Sequence, residues 1–503
     1  MTQASSYLGL LPLGIVALTA LLAIVLDLRD KPCPRRQNSV TVTGLVLAAL
    51  SYIPVQMALH ESSAALILWD GISYVDSLAV LFGALACLTG ALVLLFSIDY
   101  LENRRSHPGE FITLVPFVVL GLITAVSTKE LLTFFLSFEL MSLPLYLMAA
   151  WGRFNLKSSE AGFKYFINGA VASAVMFYGI SLIFGTVGTT FMNQIPVNFH
   201  LVAAPRHAFV LGCIMVLGAL FFKIAIAPFH MWAPDVYDGA PSPAAMFLST
   251  APKATVIAFL LRLVWGSFCV QDMEFTLDTV WNIALCSVAI VSMCWGNLAA
   301  LKQTSIKRLM AYSGIAQIGY TMLGVMAAAR TGAASEGAAA AIFYILMYSF
   351  ANVAVWAVIC LMSYQRRTSA IADYRGLAAT NPFLAFTLLI AFFSLAGAPP
   401  LAGFVGKFYL FRATVVDHSA WWWVVLIGLI NSVISLYYYF GVLKPVFFGK
   451  PVNDEGQPDQ PLLVSQSVRL GLSLCLIVLT VVAFCPGLIQ YCLQAGNSAL
   501  AAL

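Results

Sequence analysis

Polar residues along this chain gather in short clusters, and the stretches between them are apolar for about twenty residues at a time, the length a helix needs to cross ~30 Å of hydrocarbon. Fourteen such runs lie near residues 7–27, 40–60, 75–100, 112–128, 131–151, 160–187, 207–228, 243–265, 279–300, 305–327, 335–364, 382–414, 422–446 and 468–493. The pattern therefore predicts an all-α polytopic membrane protein with about 14 transmembrane helices, numbered here as spans 1–14.

Two runs are interrupted in the same way. Span 7 reads LFFKIAIAPFHMWAPDVYDGAPSP and span 12 reads FFSLAGAPPLAGFVGKFYLF, each with an Ala-Pro pair where a helix would continue. Proline lacks the backbone donor and crowds the preceding turn, so breaks are expected at Pro228 and at Pro399 and Pro400. Freed backbone groups at membrane depth survive only beside protein or water. A single break reads equally as a kink or as the edge of a hydrated cavity. Two breaks five spans apart favour repeats, spans 4–8 and 9–13, with the second copy inverted because five is odd. The junction STKELLTFF recurs loosely as KQTSIKRLM. The corresponding domains are 1–110 (three N-terminal helices), 111–266 (first repeat), 279–447 (second, inverted repeat) and 448–503 (a loop and helix 14).

Composition agrees with the pattern. The chain has 503 residues, 61% of them hydrophobic and only 10% charged, and its mean hydropathy is +0.90. No soluble domain is expected, the longest polar stretch being GKPVNDEGQPDQPLLVSQSVR. Span 1 lacks a basic start and a small-residue cleavage site, so it reads as a retained helix rather than a signal peptide. The ten cysteines form no CxxC pair and no cluster with metal-ligand spacing. There is no GxGxxG opening a strand–helix unit and no P-loop. No cofactor or metal is expected in this chain, and no nucleic acid as a partner, so the energy it uses has to arrive through a protein partner.

Charge sets the orientation, because lysine and arginine stay on the cytoplasmic side. With both termini outside, eighteen of the 26 lysines and arginines fall in inner loops and five, among them Lys129 and Arg262, on the outer side. The remaining three are Lys223, Lys253 and Lys407, which lie inside spans 7, 8 and 12; span 5 carries Glu139. An ionisable group at membrane depth costs a few kcal/mol even on lenient scales, which marks these four as candidate proton stations.

The blocks FFKIAIAPFHMWAPDVYDGAPSPAAMFLSTAPKATVIAFLLRL, FELMSLPLYLM and LAGAPPLAGFVGKFYLF resemble the antiporter-like membrane subunits of respiratory complex I, the NADH–quinone oxidoreductase. The resemblance covers nearly the whole chain. Lysine rather than glutamate in span 12, and an end after span 14 without a long lateral helix, narrow it to one type of subunit in that family. It implies a proton-translocating subunit in which Glu139 pairs with Lys223, Lys253 bridges the two halves and Lys407 serves the second. It also implies membrane-arm partners including neighbouring antiporter-like subunits, a bacterial inner membrane, and NADH, FMN, iron–sulfur clusters and quinone in partner subunits. Related hydrogenase or sodium/proton antiporter complexes share the fold, and a structural scaffold is the alternative of a different class.

The chemistry can be argued without the resemblance. Burial weakens a lysine's hold on its proton and a nearby carboxylate restores it. Unit charges about 4 Å apart attract by roughly 4 kcal/mol at an effective dielectric of 20. A Glu139–Lys223 contact that opens and closes would thus decide whether Lys223 keeps its proton. His230, two turns beyond Lys223, suits either a relay or a hydrogen bond to a freed carbonyl. Lys164 either snorkels or feeds the input channel. Asp235 and Asp238 either cap the entry to span 8, the reading that is favoured, or attract protons to the channel mouth, and Trp421, Trp422 and Trp423 are expected to form an interfacial belt.

Overall fold

The structure is a computed structural model, and it describes residues 7–29, 33–62, 65–103, 106–201, 206–263, 277–329, 334–416, 419–451 and 460–501. Lys31, Arg104, Arg105 and Arg330, counted in the charge bias, lie outside these residues, as do residues 452–459 of the polar stretch after span 13. Among the described residues, twelve helices are long and apolar enough to cross a membrane. The helix Ile306–Ala328 and the broken pair Pro382–Ala396 and Ala402–Val415 supply the other two of the fourteen expected spans. Span 2 is two helices, Pro34–Leu50 and Tyr52–Ser62, and span 14 turns at Cys485 between Gln466–Thr480 and Pro486–Ala501. One small hairpin pairs Leu66–Leu68 with Ser73–Val75.

Span 11 (Ala334–Gln365) and span 8 (Ser242–Leu263) form the centre, their apolar windows wholly buried. A helix hydrophobic all round has no solvent face to present, and interior placement follows. Spans 1, 2, 13 and 14 ring this centre, with most of each window facing outward.

Two pairs of details recur. Before span 5, Leu131 N donates to Thr190 O and Met192 N to Lys129 O; before span 10, Ile306 N donates to Ser369 O and Ile371 N to Thr304 O. In each case the start of one span is tied to the end of the next by the same two bonds. The breaks match as well. The helix Arg206–Lys223 stops with Ala225 at φ 57° and Ile226 N on Phe221 O, and Pro382–Ala396 stops with Gly397 at φ 83° and Ala398 N on Phe393 O. The left-handed residue comes before the proline in both, so Pro228, Pro399 and Pro400 follow the helix end instead of causing it. The first break is also held from outside: Ala227 N donates to Ser292 Oγ at 3.0 Å and Trp232 Nε1 to Phe222 O at 2.9 Å.

Candidate functional site: a line of buried lysines

The first break ends its helix at Lys223, which is 3% exposed. Its Nζ donates to Ser142 Oγ at 2.6 Å, and the rings of Phe138, Tyr146 and Tyr165 stand 5.1–5.4 Å away. Glu139 lies one turn before Ser142 on span 5 (Leu131–Ala149) and accepts a short hydrogen bond from Ser173 Oγ. The expected Glu139–Lys223 ion pair is therefore not closed here. Each partner is held by a separate serine, a neutral group that can take either form of its neighbour without reorganising a charge.

Lys253 sits in the first turn of Ala251–Leu263, 1% exposed, and its Nζ has no hydrogen-bond partner among the described residues. It lies 5.8 Å over the Tyr237 ring. Gly314 lets it approach span 10, since a Cβ there would come within 3.1 Å of both Lys253 Nζ and the Tyr348 hydroxyl. Tyr348 and Asn352, both on span 11, converge on Ser249 O at 3.1 Å.

Lys407 belongs to the second half of the broken span 12. Its Nζ donates to Ala396 O at 2.9 Å and Ser432 Oγ at 3.1 Å, 4.3 Å over the Tyr320 ring. Ala396 is the last residue of the preceding half-helix, and such carbonyls have no partner within their own helix. The break creates the acceptor that the lysine uses. The next carbonyl back, Leu395 O, accepts from Gln317 Nε2 at 2.9 Å. Gln317 also meets Tyr344 and Tyr439, and Ser432 Oγ reaches the Tyr320 hydroxyl at 3.3 Å. A seam of neutral hydroxyl and amide groups thus continues from the level of Lys253 to Lys407. Among the described residues no carboxylate lies within 4.0 Å of any of the three ammonium groups.

Charged groups gather where spans 6 and 10 begin. Lys164 pairs with Glu160 at 2.7 Å and Asp235 at 3.2 Å, and Arg308 reaches Asp235 at 3.6 Å. Asp238 accepts from Ser305 Oγ at 2.7 Å. The two aspartates tie the short helix Trp232–Gly239 to spans 6 and 10, and Pro241 rather than either of them stands at the N-cap of span 8. A cavity of ≈ 430 Å³ opens beside them, lined by Lys157, Asp238, Lys307, Ser363 and Arg367 among others. Ser363, in its lining, accepts from Ser242 Oγ at 2.9 Å. His230 packs edge-on to Trp295, with its Nδ1 buried and unpartnered among the described residues. No bond joins it to Lys223, so the structure does not bring the two expected relay members together.

The largest omission in the sequence reading is on the opposite face. Arg262, counted there as an outer loop charge, is fully buried and pairs with Asp76 at 2.6 Å. Lys129, counted the same way, is buried over the Tyr74 ring at 3.3 Å. Also unforeseen were Ser142, Ser173, Gln317, Asn352 and Ser432, although a polar side chain inside an apolar run was a usable signal.

The NADH:quinone oxidoreductase/Mrp antiporter transmembrane family matches residues 128–435, which include all four expected stations. The chain belongs to that family. NADH-quinone oxidoreductase subunit N of Desulforamulus reducens is 36% identical over 422 residues, 84% of each chain. NADH-quinone oxidoreductase subunit N 2 of Symbiobacterium thermophilum is 38% identical over 493 residues, 95% of this chain and 94% of that one. A chain of the respiratory complex I of Thermus thermophilus with bound aureothin superposes with a TM-score of 0.77 at 31% identity, covering 96% of this chain and 100% of that one. The likeness to antiporter-like subunits read from the PFHMWAPDVYDGAPSP block therefore holds along nearly the whole chain, and in this family member the matched region contains both broken helices.

Proposed function

We propose that this chain is the N-type membrane subunit of an NADH–quinone oxidoreductase and moves protons across the bacterial inner membrane while partner subunits carry electrons from NADH to quinone. The observation that carries the reading is the set Lys223, Lys253, Lys407: three buried amines, held only by neutral acceptors or by none, with polar side chains gathered between the levels of Lys253 and Lys407. An amine so held needs no rearranged counter-ion to lose or regain a proton. A scaffold lysine would be expected to keep a carboxylate.

Protons enter at the Lys164–Asp235 mouth on the cytoplasmic face, pass Lys223 as Glu139 approaches or leaves it, and continue through Lys253 to Lys407. Both termini lie on the periplasmic side, as the lysine and arginine bias supports. Spans 4–8 and 9–13 act as inverted repeats, a reading supported by the matched junction bonds and matched breaks. NADH, FMN, iron–sulfur clusters and quinone belong to partner subunits, and neighbouring antiporter-like subunits flank this one in the membrane arm.

The test is Lys253→Met in assembled complex, with NADH:quinone activity and proton uptake into proteoliposomes both normalised to subunit content. Loss of most coupled pumping is expected. Pumping at the wild-type proton-to-electron ratio and rate would reject the translocation role.

A further inference from the structure

A second group of buried charges lies at the end of the bundle opposite the Lys164–Asp235 mouth. Asp76 caps the helix Ser77–Glu102, its Oδ1 accepting from Ala79 N at 2.9 Å and from Arg262 Nη2 at 2.6 Å. The side chains of this pair are 4% and 1% exposed. Lys129, in the link between spans 4 and 5, places its Nζ 3.3 Å from the centroid of the Tyr74 ring. Asp76 Oδ2 and Arg262 Nε and Nη1 are all buried without hydrogen-bond partners among the described residues. Two cations therefore share one carboxylate, and three polar atoms of the Asp76–Arg262 pair are left unsatisfied. A structural staple would be expected to satisfy them.

We propose that Lys129, set among Tyr74, Asp76 and Arg262, is a proton-release group on the periplasmic face of the first repeat, a second outlet to the aqueous phase that branches at the Lys253 level from the route to Lys407. The proposal rests on the transport reading above. In the step, Lys253 gives up one N–H proton and becomes a neutral amine, Lys129 takes one up, and the Lys129 ammonium then loses a proton to water. Lys253 and Arg262 stand nine residues apart on one helix, about 13 Å along its axis. Between those levels the Phe134 and Phe259 rings stack, closing the path with apolar carbon. Those rings would have to part for each transfer, which prevents an open leak between the lysine row and the periplasm.

The surroundings of Lys129 suit release. Burial lowers its affinity for the proton most, the fixed Arg262 charge lowers it further and Asp76 partly restores it, leaving a pKa of about 7. Glu130, next in sequence, is turned away, its carboxylate accepting from Thr133 and Thr190. Tyr491, from the C-terminal helix, lies within electrostatic reach of Asp76 and donates to Gln56.

The experiment uses the whole complex in proteoliposomes oriented with this face inward, with external pH fixed and luminal pH set between about 6 and 8.5, a range spanning the Lys129 titration. Wild-type pumping should rise severalfold as luminal pH passes the midpoint. Lys129→Met and Lys129→Arg should each lower the rate severalfold and flatten that rise, the arginine variant because its guanidinium does not release a proton. Lys129→His should restore a rise with a more acidic midpoint. A wild-type rate and profile in Lys129→Arg, or no restored rise in Lys129→His, overturns the proposal. Lys253→Met in the same preparation separates the two levels: normal pumping there rejects the transport reading itself, whereas impaired Lys253→Met beside unimpaired Lys129→Met rejects only the release site.

Discussion

Gly397→Ala tests whether the second break exists to hold Lys407, because it disturbs the break without altering any charge. Gly397 has φ 83°, a conformation that costs an L-residue roughly 1–2 kcal/mol. A Cβ at this position would lie 2.8 Å from Lys407 Cδ, so the lysine stem has to move. Moving it endangers the bond from Lys407 Nζ to Ala396 O, and a hydrogen bond to a charged group contributes about 1.5–3 kcal/mol. The two effects together come to about 2.5–5 kcal/mol, and the lower end already changes a local equilibrium by somewhat under a hundredfold. Gly185→Ala is the control, since that residue lies inside the helix Leu156–Val187 with nothing within 4 Å of its added carbon. It should be neutral or stabilising by about 0.5–1 kcal/mol. The assay is coupled proton pumping and thermal inactivation of assembled complex for both variants. Wild-type pumping and stability in Gly397→Ala would refute the idea that this glycine makes room for the lysine.

Three further outcomes are expected. Lys407→Arg should impair pumping nearly as much as Lys407→Met despite keeping the charge, because arginine does not release its proton; a wild-type proton-to-electron ratio with arginine would argue for a structural lysine. Glu139→Ala should depress pumping more than Ser173→Ala, which removes only the group that holds Glu139 in the open arrangement; the reverse order in a pumping assay would dismiss the switch. Pro228→Ala should leave the span 7 break intact, because Ala225 and the bonds from Ala227 and Trp232 hold it, whereas Trp232→Phe should reduce pumping by freeing Phe222 O; a structure of Pro228→Ala with a continuous helix would contradict this.

By itself the sequence determined the membrane class, the spans, the four ionisable residues inside them and the neighbourhood of both breaks. Each of these is a local property, since hydropathy over about twenty residues decides whether a helix can sit in hydrocarbon, and the Ala-Pro pairs stand within a few residues of where the two helices end. Tertiary structure alone decided which group each charge meets. Ser142 and Lys223 are 81 residues apart, and Asp76 and Arg262 are 186 apart, distances over which no periodicity carries information. A loop position by charge counting was therefore compatible with the buried Arg262 and Lys129 that packing produced. Carbonyl acceptors such as Ala396 O escape a reading of side chains altogether. They become available only when a helix ends inside the protein, and both the place where it ends and the side chain that fills the gap are set by helices packing against one another.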